Sequence, residues 1–249
     1  MKFKPLINSF FIHIPKTAGM TLHDSILDLK RNFGWFLGSE FDDKQDKSLN
    51  KIIHKGSYTL GHIHYKSLIS ENYLEKKIFK QSFKFCFVRN PYDRLVSLYK
   101  YHKVNERLNL NFDDFVKYLY EEYKNKTIPP IGLYNIKTFD KKSKLYHPKI
   151  YGSQYNCMEK WVPSDIGFIG RFENLDHDIY ELIKILGYTG PNITIPKLNY
   201  TKQDNYLNYY KNDKTINYVS KIYEKDFSRF GYFRKYAFED DKVKGKETV

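Results

Sequence analysis

Short apolar runs alternate along this chain with longer stretches whose apolar residues recur at helical spacing. The apolar runs predict β-strands at residues 9–14, 58–62, 83–88 and 166–169. Helical patterns predict helices at residues 21–29, 92–103, 176–186 and 215–227. Strands that alternate with helices in this way favour an α/β fold, in which helices cover both faces of a parallel sheet.

The length and composition favour a single folded domain. The chain has 249 residues, of which 41% are hydrophobic and 18% aromatic, enough to bury a substantial core. Residues 239–249 are charged and lack periodicity, so we predict one domain over residues 1–238 followed by a disordered tail. The first residues contain no apolar stretch of the length of a signal peptide or membrane span, so we expect a soluble, cytoplasmic protein.

The charge balance points to an anionic partner. Lysine and arginine exceed aspartate and glutamate by 13, and such a surface attracts nucleotides, acidic glycans, nucleic acids or anionic lipids. Charge alone does not choose among these ligands. The two cysteines form neither a disulfide framework nor a paired metal motif. In open parallel sheets, ligands bind beyond the carboxyl ends of the strands, so we expect the functional residues there.

A small-residue turn from Pro15 to Thr21 joins the first strand to a helix. The helix start offers free N–H groups to an anion, Gly19 allows close approach of the backbone, and Lys16 adds a positive charge. The hydroxyls of Thr17 and Thr21 add neutral donors. Because the lysine precedes the glycine by three residues, the segment is not a Walker A loop. The alternative is an ordinary helix cap with an exposed lysine.

A second candidate anion site follows the third strand. Arg89 closes that strand, and Ser97 lies two turns into the next helix, so an arginine fork and a hydroxyl can face one terminal phosphate. The alternatives are a surface ion pair for Arg89 and a solvent-facing helical position for Ser97. Two anion sites on successive strand ends predict one ligand with two separated phosphates, as in a 3′,5′-bisphosphate nucleotide.

Three segments carry a resemblance to a known family. They read FIHIPKTAG at residues 11–19, FVRNPYDRLVSLY at 87–99 and IGRFENL at 169–175. They resemble the carbohydrate sulfotransferases that use 3′-phosphoadenosine 5′-phosphosulfate (PAPS), particularly the group with heparan sulfate 2-O-sulfotransferase and its smaller bacterial relatives. Further similarity at residues 198–201, 209–210 and 223–232 extends the resemblance over nearly the whole chain. It implies a P-loop-like α/β fold in a single domain.

The resemblance also implies which residues bind PAPS. The 5′-phosphosulfate would be held by the loop residues Pro15, Lys16, Thr17, Ala18, Gly19, Met20 and Thr21. Arg89 and Ser97 would hold the 3′-phosphate, and Lys202 would contact the nucleotide. Met20 departs from the family pattern of threonine or serine after the glycine. This departure either leaves Thr21 with more of the binding or weakens cofactor affinity.

Sulfuryl transfer needs a cation near the leaving phosphate oxygen and a base for the proton of the acceptor. Lys16 is the candidate cation. His62 is the candidate base, with His64 assisting it or contacting the acceptor, because both end the second strand on one face and relatives place a catalytic histidine after a glycine there. A hydrogen-bonded structural histidine is the alternative. No third metal ligand has supporting spacing and the reaction needs none, so we expect no metal.

The acceptor and its binding region are less specific in the sequence. We expect a carbohydrate or glycoconjugate, with an acidic one as an option, bound by residues 105–161, which are rich in lysine and tyrosine. Arg171 and Glu173 could face this acceptor, brace the nucleotide site or form a structural ion pair.

Three other functions stay open at this point. They are a nucleic-acid-binding protein, a nucleotide kinase or other P-loop transferase that uses ATP, and a relative that binds nucleotides or sulfated glycans without catalysis. We expect no nucleic-acid partner, because the chain contains no recognisable nucleic-acid-binding module.

Overall fold

A four-stranded sheet organises the fold. The computed structural model describes residues 9–19, 21–22, 36–37, 64–70, 75–128, 152–187, 189 and 205–234. The strands are β1 (Ser9–Ile12), β2 (Phe36–Leu37), β3 (Phe83–Val88) and β4 (Phe168–Arg171). Their order in the sheet is β2-β1-β3-β4, with β3 parallel to both β1 and β4 and β2 antiparallel to β1. The predicted α/β fold with a parallel sheet is confirmed.

Helices connect and cover these strands. The α-helices are α1 (Tyr65–Ser70), α2 (Lys76–Gln81), α3 (Pro91–Tyr101), α4 (Val104–Leu108), α5 (Phe112–Lys124), α6 (Leu175–Ile185), α7 (Asp213–Ile222) and α8 (Glu224–Phe230). Short 3-10 turns lie at Gly152–Tyr155, Met158–Trp161, Phe172–Asn174 and Tyr206–Tyr209. None of the helices within the described ranges is long and apolar enough to cross a bilayer.

The predicted boundaries agree best in the middle of the chain. The predicted strand at 83–88 matches β3 at both ends, whereas β4 begins and ends two residues later than predicted because its pairing with β3 continues to Arg171. The helix predicted at 215–227 is two helices, separated at Tyr223, whose buried hydroxyl donates to the carbonyl oxygen of Tyr155 at 2.8 Å. The strand predicted at 58–62 lies outside the described residues.

Alternate residues of β1 and β3 point to opposite faces of the sheet, and both faces are covered. One face packs against α2, α8 and the turn at Met158–Trp161, in a buried cluster that includes Phe10, Ile12, Cys86, Val88, Phe79 and Phe230. The other face packs against α6, in a second cluster that includes Phe11, Phe85, Phe87, Ile179, Leu182 and Ile183. Burial on both faces explains why the residues of β3 are apolar except Lys84, which is itself buried and pairs with Asp165 at 3.0 Å.

Arg94, on the second turn of α3, is a buried connector between distant segments. Its side chain is 1% exposed. Nε donates to the carbonyl oxygen of Pro15 at 3.0 Å, Nη1 to that of Asn156 at 3.1 Å, and Nη2 to that of Gln154 at 2.6 Å. The guanidinium therefore ties the loop after β1 to the segment that precedes the turn at Met158–Trp161.

Asp226 holds the same turn from the other side. It is fully buried on α8, and its two carboxylate oxygens accept the N–H groups of Met158 at 2.9 Å and Glu159 at 2.8 Å. Burial raises the pKa of Asp226 to about 6, although the charge of Arg94 and the two N–H groups act in the opposite direction. The turn is thus fixed by α8, while Arg94 on α3 holds the residues just before it.

Replacement of Arg94 by methionine should lower the free energy of unfolding by about 3 kcal/mol, because three buried carbonyl oxygens lose their donors at roughly 1 kcal/mol each. Urea unfolding followed by circular dichroism measures the change. Arg234→Met is the matched control, because the Arg234 side chain is 44% exposed and pairs with Glu224. Loss of this exposed ion pair should lower the free energy of unfolding by less than about 1 kcal/mol. Equal effects of the two substitutions would contradict the connecting role of Arg94.

Candidate functional site

The carboxyl ends of the three parallel strands lie at one edge of the sheet. The loop that starts at Pro15 follows β1, Arg89 follows β3 and Phe172 follows β4. Nη1 of Arg89 donates to the carbonyl oxygen of Lys16 at 3.3 Å, and the Arg89 guanidinium lies 3.9 Å from the centroid of the Phe172 ring. The structure therefore brings together residues that follow three different strands.

The backbone of the loop alternates in conformation. Lys16 and Ala18 have positive φ angles of 66° and 83°, whereas Thr17 between them does not. Such angles strain a residue with a side chain, so the surrounding contacts must maintain them. An alternation of this kind turns successive N–H groups toward one concavity, which suits phosphate and other anions. Helical backbone begins at Gly19, and the free N–H groups at a helix start have the same preference.

Gly19 provides the space that the His13 side chain occupies. A Cβ atom at residue 19 would lie 1.8 Å from Nε2 of His13. The His13 ring also stacks on Phe11, with the two ring centroids 5.3 Å apart. Sequence reasoning explained this glycine by the close approach of a ligand, but the close approach in the structure is made by a histidine of the protein itself.

The two threonines of the loop are buried. Oγ1 of Thr17 donates to the carbonyl oxygen of Ile14 at 2.9 Å and closes the turn after β1. In this arrangement its proton is directed to the protein, which corrects the expectation of a donor facing the ligand. Thr21 lies in the first turn of the helix. Met20, where the chain departs from the pattern of its relatives, lies outside the described residues.

The Lys16 ammonium is partly buried and lies near the positive charge of Arg89. Burial lowers its pKa from the ordinary 10.5 to about 8, and the charge of Arg89 acts in the same direction. Nζ lies 4.3 Å from the centroid of the Tyr101 ring, within the range of a cation–π contact. An anion that binds between Lys16 and Arg89 would relieve the repulsion between these two cations.

Arg89 is buried with its guanidinium paired to Asp93. Nε and Nη2 donate to the two carboxylate oxygens of Asp93 at 2.8 Å and 2.9 Å. A phosphate that uses this fork would have to displace the carboxylate. The sequence offered a surface ion pair as the alternative for Arg89, and the structure shows an ion pair, although a buried one. Opposite charges four residues apart at a helix start were a usable signal for Asp93 as the partner.

Ser97 lies two turns along α3 from Arg89 and is 8% exposed. Its hydroxyl has no hydrogen-bond partner within the part of the chain that the structure describes. A hydroxyl without a protein partner at this position can donate to a bound anion.

Asn90 and Pro91 fix the direction in which α3 leaves the strand end. The Asn90 side chain accepts the N–H of Tyr92 at 2.9 Å, and Pro91 occupies the first helical position, where no N–H is needed. Glu173, after β4, accepts the N–H of Asn90 at 2.5 Å. Arg89, directly before this cap, is therefore anchored at the junction of β3 and α3.

Arg171 and Glu173 brace the strand end against the C-terminal segment. The second carboxylate oxygen of Glu173 accepts the hydroxyl of Tyr232 at 2.9 Å. Arg171 donates to the carbonyl oxygen of Phe230, and its guanidinium lies 4.8 Å from the centroid of the Tyr232 ring. Of the three roles that the sequence left open for these two residues, the contacts favour bracing of the site.

His64 is 3% exposed, and both of its ring nitrogens have backbone partners. Nδ1 accepts the N–H of Lys66 at 3.2 Å, which assigns the proton to Nε2, 3.2 Å from the carbonyl oxygen of Lys160. Burial lowers the pKa of His64 to about 4, so the ring stays neutral at physiological pH. This geometry favours a structural role for His64 over direct contact with an acceptor.

Several predicted site residues lie outside the described ranges. They include His62, Lys202 and residues 129–151 of the expected acceptor region. Within the described ranges, no group of three or more histidine, cysteine or acidic side chains is arranged to hold a metal ion.

Comparison with known proteins assigns the chain to a family. Residues 3–233 match the model of the sulfotransferase family. An uncharacterized protein of Archaeoglobus fulgidus is 30% identical over 136 residues, which are 54% of this chain and 91% of that protein. No solved structure matches the chain significantly.

Replacement of Gly19 by alanine should destabilise the protein by about 1–3 kcal/mol, because the added methyl group meets the His13 ring. Urea unfolding of the single variants and of the double variant with His13→Ala forms a thermodynamic cycle. In the His13→Ala background the alanine at residue 19 should cost much less, since the ring is gone. An equal cost in both backgrounds would show that something other than His13 requires the glycine.

Proposed function

Since this chain belongs to the sulfotransferase family, we propose that it transfers a sulfuryl group from PAPS to a hydroxyl of a carbohydrate. The proposal is supported most directly by the hydrogen bond from Arg89 to the Lys16 carbonyl, which joins two candidate anion-binding elements. PAPS carries a phosphosulfate and a separate 3′-phosphate and so requires two such elements. The carbohydrate acceptor rests on the similarity of three segments to carbohydrate sulfotransferases.

The loop of residues 15–21 is the proposed site of the 5′-phosphosulfate. Its alternating backbone and the helix start at Gly19 offer N–H groups, and Lys16 offers a cation. When bound, PAPS would supply an activated sulfuryl group whose leaving oxygen belongs to a phosphate. Lys16 would stabilise the negative charge that grows on this oxygen. With a pKa of about 8, its amine is largely protonated at neutral pH.

Arg89 and Ser97 are the proposed partners of the 3′-phosphate. Asp93 keeps the buried guanidinium of Arg89 paired and oriented when no phosphate is bound. Ser97, on the same helix, contributes a hydroxyl that has no partner among the described residues. The two side chains therefore differ in what binding would require: Arg89 would exchange one anion for another, whereas Ser97 would gain a hydrogen bond.

His62 is the proposed base that takes the proton of the acceptor hydroxyl. His64 would act on it indirectly. Because both ring nitrogens of His64 bond to the backbone at Lys66 and Lys160, the ring fixes the chain two residues after His62. In this proposal His64 is a positioning residue.

The first experiment measures binding of PAP, the desulfated product, and of 5′-AMP, which lacks the 3′-phosphate, by calorimetry. Ser97→Ala should lower the affinity for PAP about tenfold or more, because a hydrogen bond to a charged group is worth roughly 1.5 kcal/mol or more. The affinity for 5′-AMP should be unchanged. Ser228→Ala is the matched control, since Ser228 is an exposed helical serine on α8. Ser97 is preferred to Arg89 because its substitution leaves no carboxylate unpaired.

Equal binding of PAP and 5′-AMP by the wild type would contradict a 3′-phosphate site. Failure of the wild type to bind PAP would contradict the proposed function and direct attention to oligonucleotides or ATP as ligands.

Replacement of His62 by alanine should lower turnover of labelled PAPS with a glycan acceptor by about 10²–10⁴-fold, the range for loss of a general base. Affinity for PAP should stay within the error of the wild-type value, because His62 is not a proposed nucleotide contact. His177→Ala serves as the control, because His177 is an exposed histidine on α6. Unchanged turnover in the His62 variant would contradict its role as the base.

A further inference from the structure

The ring of Tyr101, the last residue of α3, faces the side chain of Lys16. The Lys16 Nζ lies 4.3 Å from the centroid of this ring. Tyr101 is 56% exposed, and its ring also meets the ring of the next residue, His102, with the two centroids 5.0 Å apart. The lysines beside it in the chain have other contacts: Nζ of Lys100 lies 5.1 Å from the centroid of the Tyr209 ring, and Lys103 pairs with Glu106 at 3.1 Å.

Lys16 has no carboxylate partner within the part of the chain that the structure describes. The nearby Asp93 is paired with Arg89, and the charge that acts on Lys16 is the positive charge of Arg89 itself. A carboxylate beside Lys16 would neutralise it and repel an incoming phosphosulfate. The face of an aromatic ring attracts a cation without adding a net negative charge.

One face of α3 carries contacts to both cations of the site. Asp93, Ser97 and Tyr101 recur at intervals of four residues, which places them along the same side of the helix. Arg89 bonds to the first of these residues, and the ammonium of Lys16 meets the last. Lys16 is thus held at its backbone carbonyl by Arg89 and at its ammonium by Tyr101.

We propose that Tyr101 is a positioning residue for Lys16, whose ammonium its ring holds in place beside α3 until an anionic ligand binds. The inference rests on the role proposed for Lys16 in sulfuryl transfer. The aromatic face is the part of Tyr101 that acts, and its hydroxyl is not required. Phenylalanine should therefore replace tyrosine here, and an aliphatic side chain should not.

The direct test is the titration of Lys16 in the wild type, Tyr101→Phe and Tyr101→Leu. The rate of acetylation of Lys16 by acetic anhydride, followed over pH by peptide mass spectrometry, reports its acid dissociation. The acid dissociation constant of Lys16 should be about threefold larger in Tyr101→Leu than in the wild type, as expected for loss of a surface cation–π contact. It should be unchanged in Tyr101→Phe. Tyr118→Leu is the control, because Tyr118 is a similarly exposed tyrosine on α5.

Binding of PAP gives a second readout. Compared with the wild type, Tyr101→Leu should lose more affinity for PAP at about pH 8.5 than at about pH 6.5. The larger acid dissociation constant of Lys16 lowers its protonated fraction near the pKa of this residue and has little effect well below it. A Leu variant that titrates like the wild type, or a Phe variant that titrates like the Leu variant, would overturn the proposal. If the wild type fails to bind PAP, the proposed function fails, while the acetylation data still decide the role of Tyr101.

Discussion

The arrangement of this protein depends on one buried cation, the guanidinium of Arg94. Its three hydrogen bonds go to backbone carbonyls of Pro15, Gln154 and Asn156, which lie on segments far apart in the chain. Burial lowers the pKa of Arg94, while the nearby Tyr223 and Asp226 act in the opposite direction. A buried charge is costly unless it is fully hydrogen-bonded, so the three carbonyls must remain in place while Arg94 is buried. The loop that starts at Pro15 is therefore positioned by a contact with the buried core.

The site itself holds its cations in place without a ligand. The guanidinium of Arg89 lies between a carboxylate and the Phe172 ring, and the Lys16 ammonium lies against the Tyr101 ring. The Lys16 ammonium is already oriented, so it would lose little entropy when an anion binds and need not reorganise as charge develops during transfer, whereas Arg89 would exchange the Asp93 carboxylate for a phosphate. Mutual repulsion of the two cations adds a reason for the site to accept an anion. The same arrangement of Lys16 and Arg89 would then serve both ligand binding and catalysis.

The sequence by itself determined the features whose signals are local. The bounds of β3 agree residue by residue, because a strand buried on both faces consists almost entirely of apolar residues, here with Lys84 as the exception. The helix predicted at 92–103 agrees with α3 within two residues at each end, because helical periodicity is a local signal. The strand predicted at 9–14 was readable for the same reason and is found at Ser9–Ile12, whereas residues 23–29 of the helix predicted after it lie outside the described ranges. Local chemistry together with the resemblance of these segments was enough for the fold class and the family.

Tertiary structure alone decided which groups meet. Nothing in the spacing of α3 marks Arg94 as a buried connector, and nothing local shows that Gly19 makes room for His13. The backbone partners of His64 and the break at Tyr223 likewise depend on contacts with segments dozens of residues away. Periodicity records whether a side chain faces the core, but not which partner it finds there. Desolvation, hydrogen-bond geometry and pKa depend on that partner, so these properties were set only when the chain had folded.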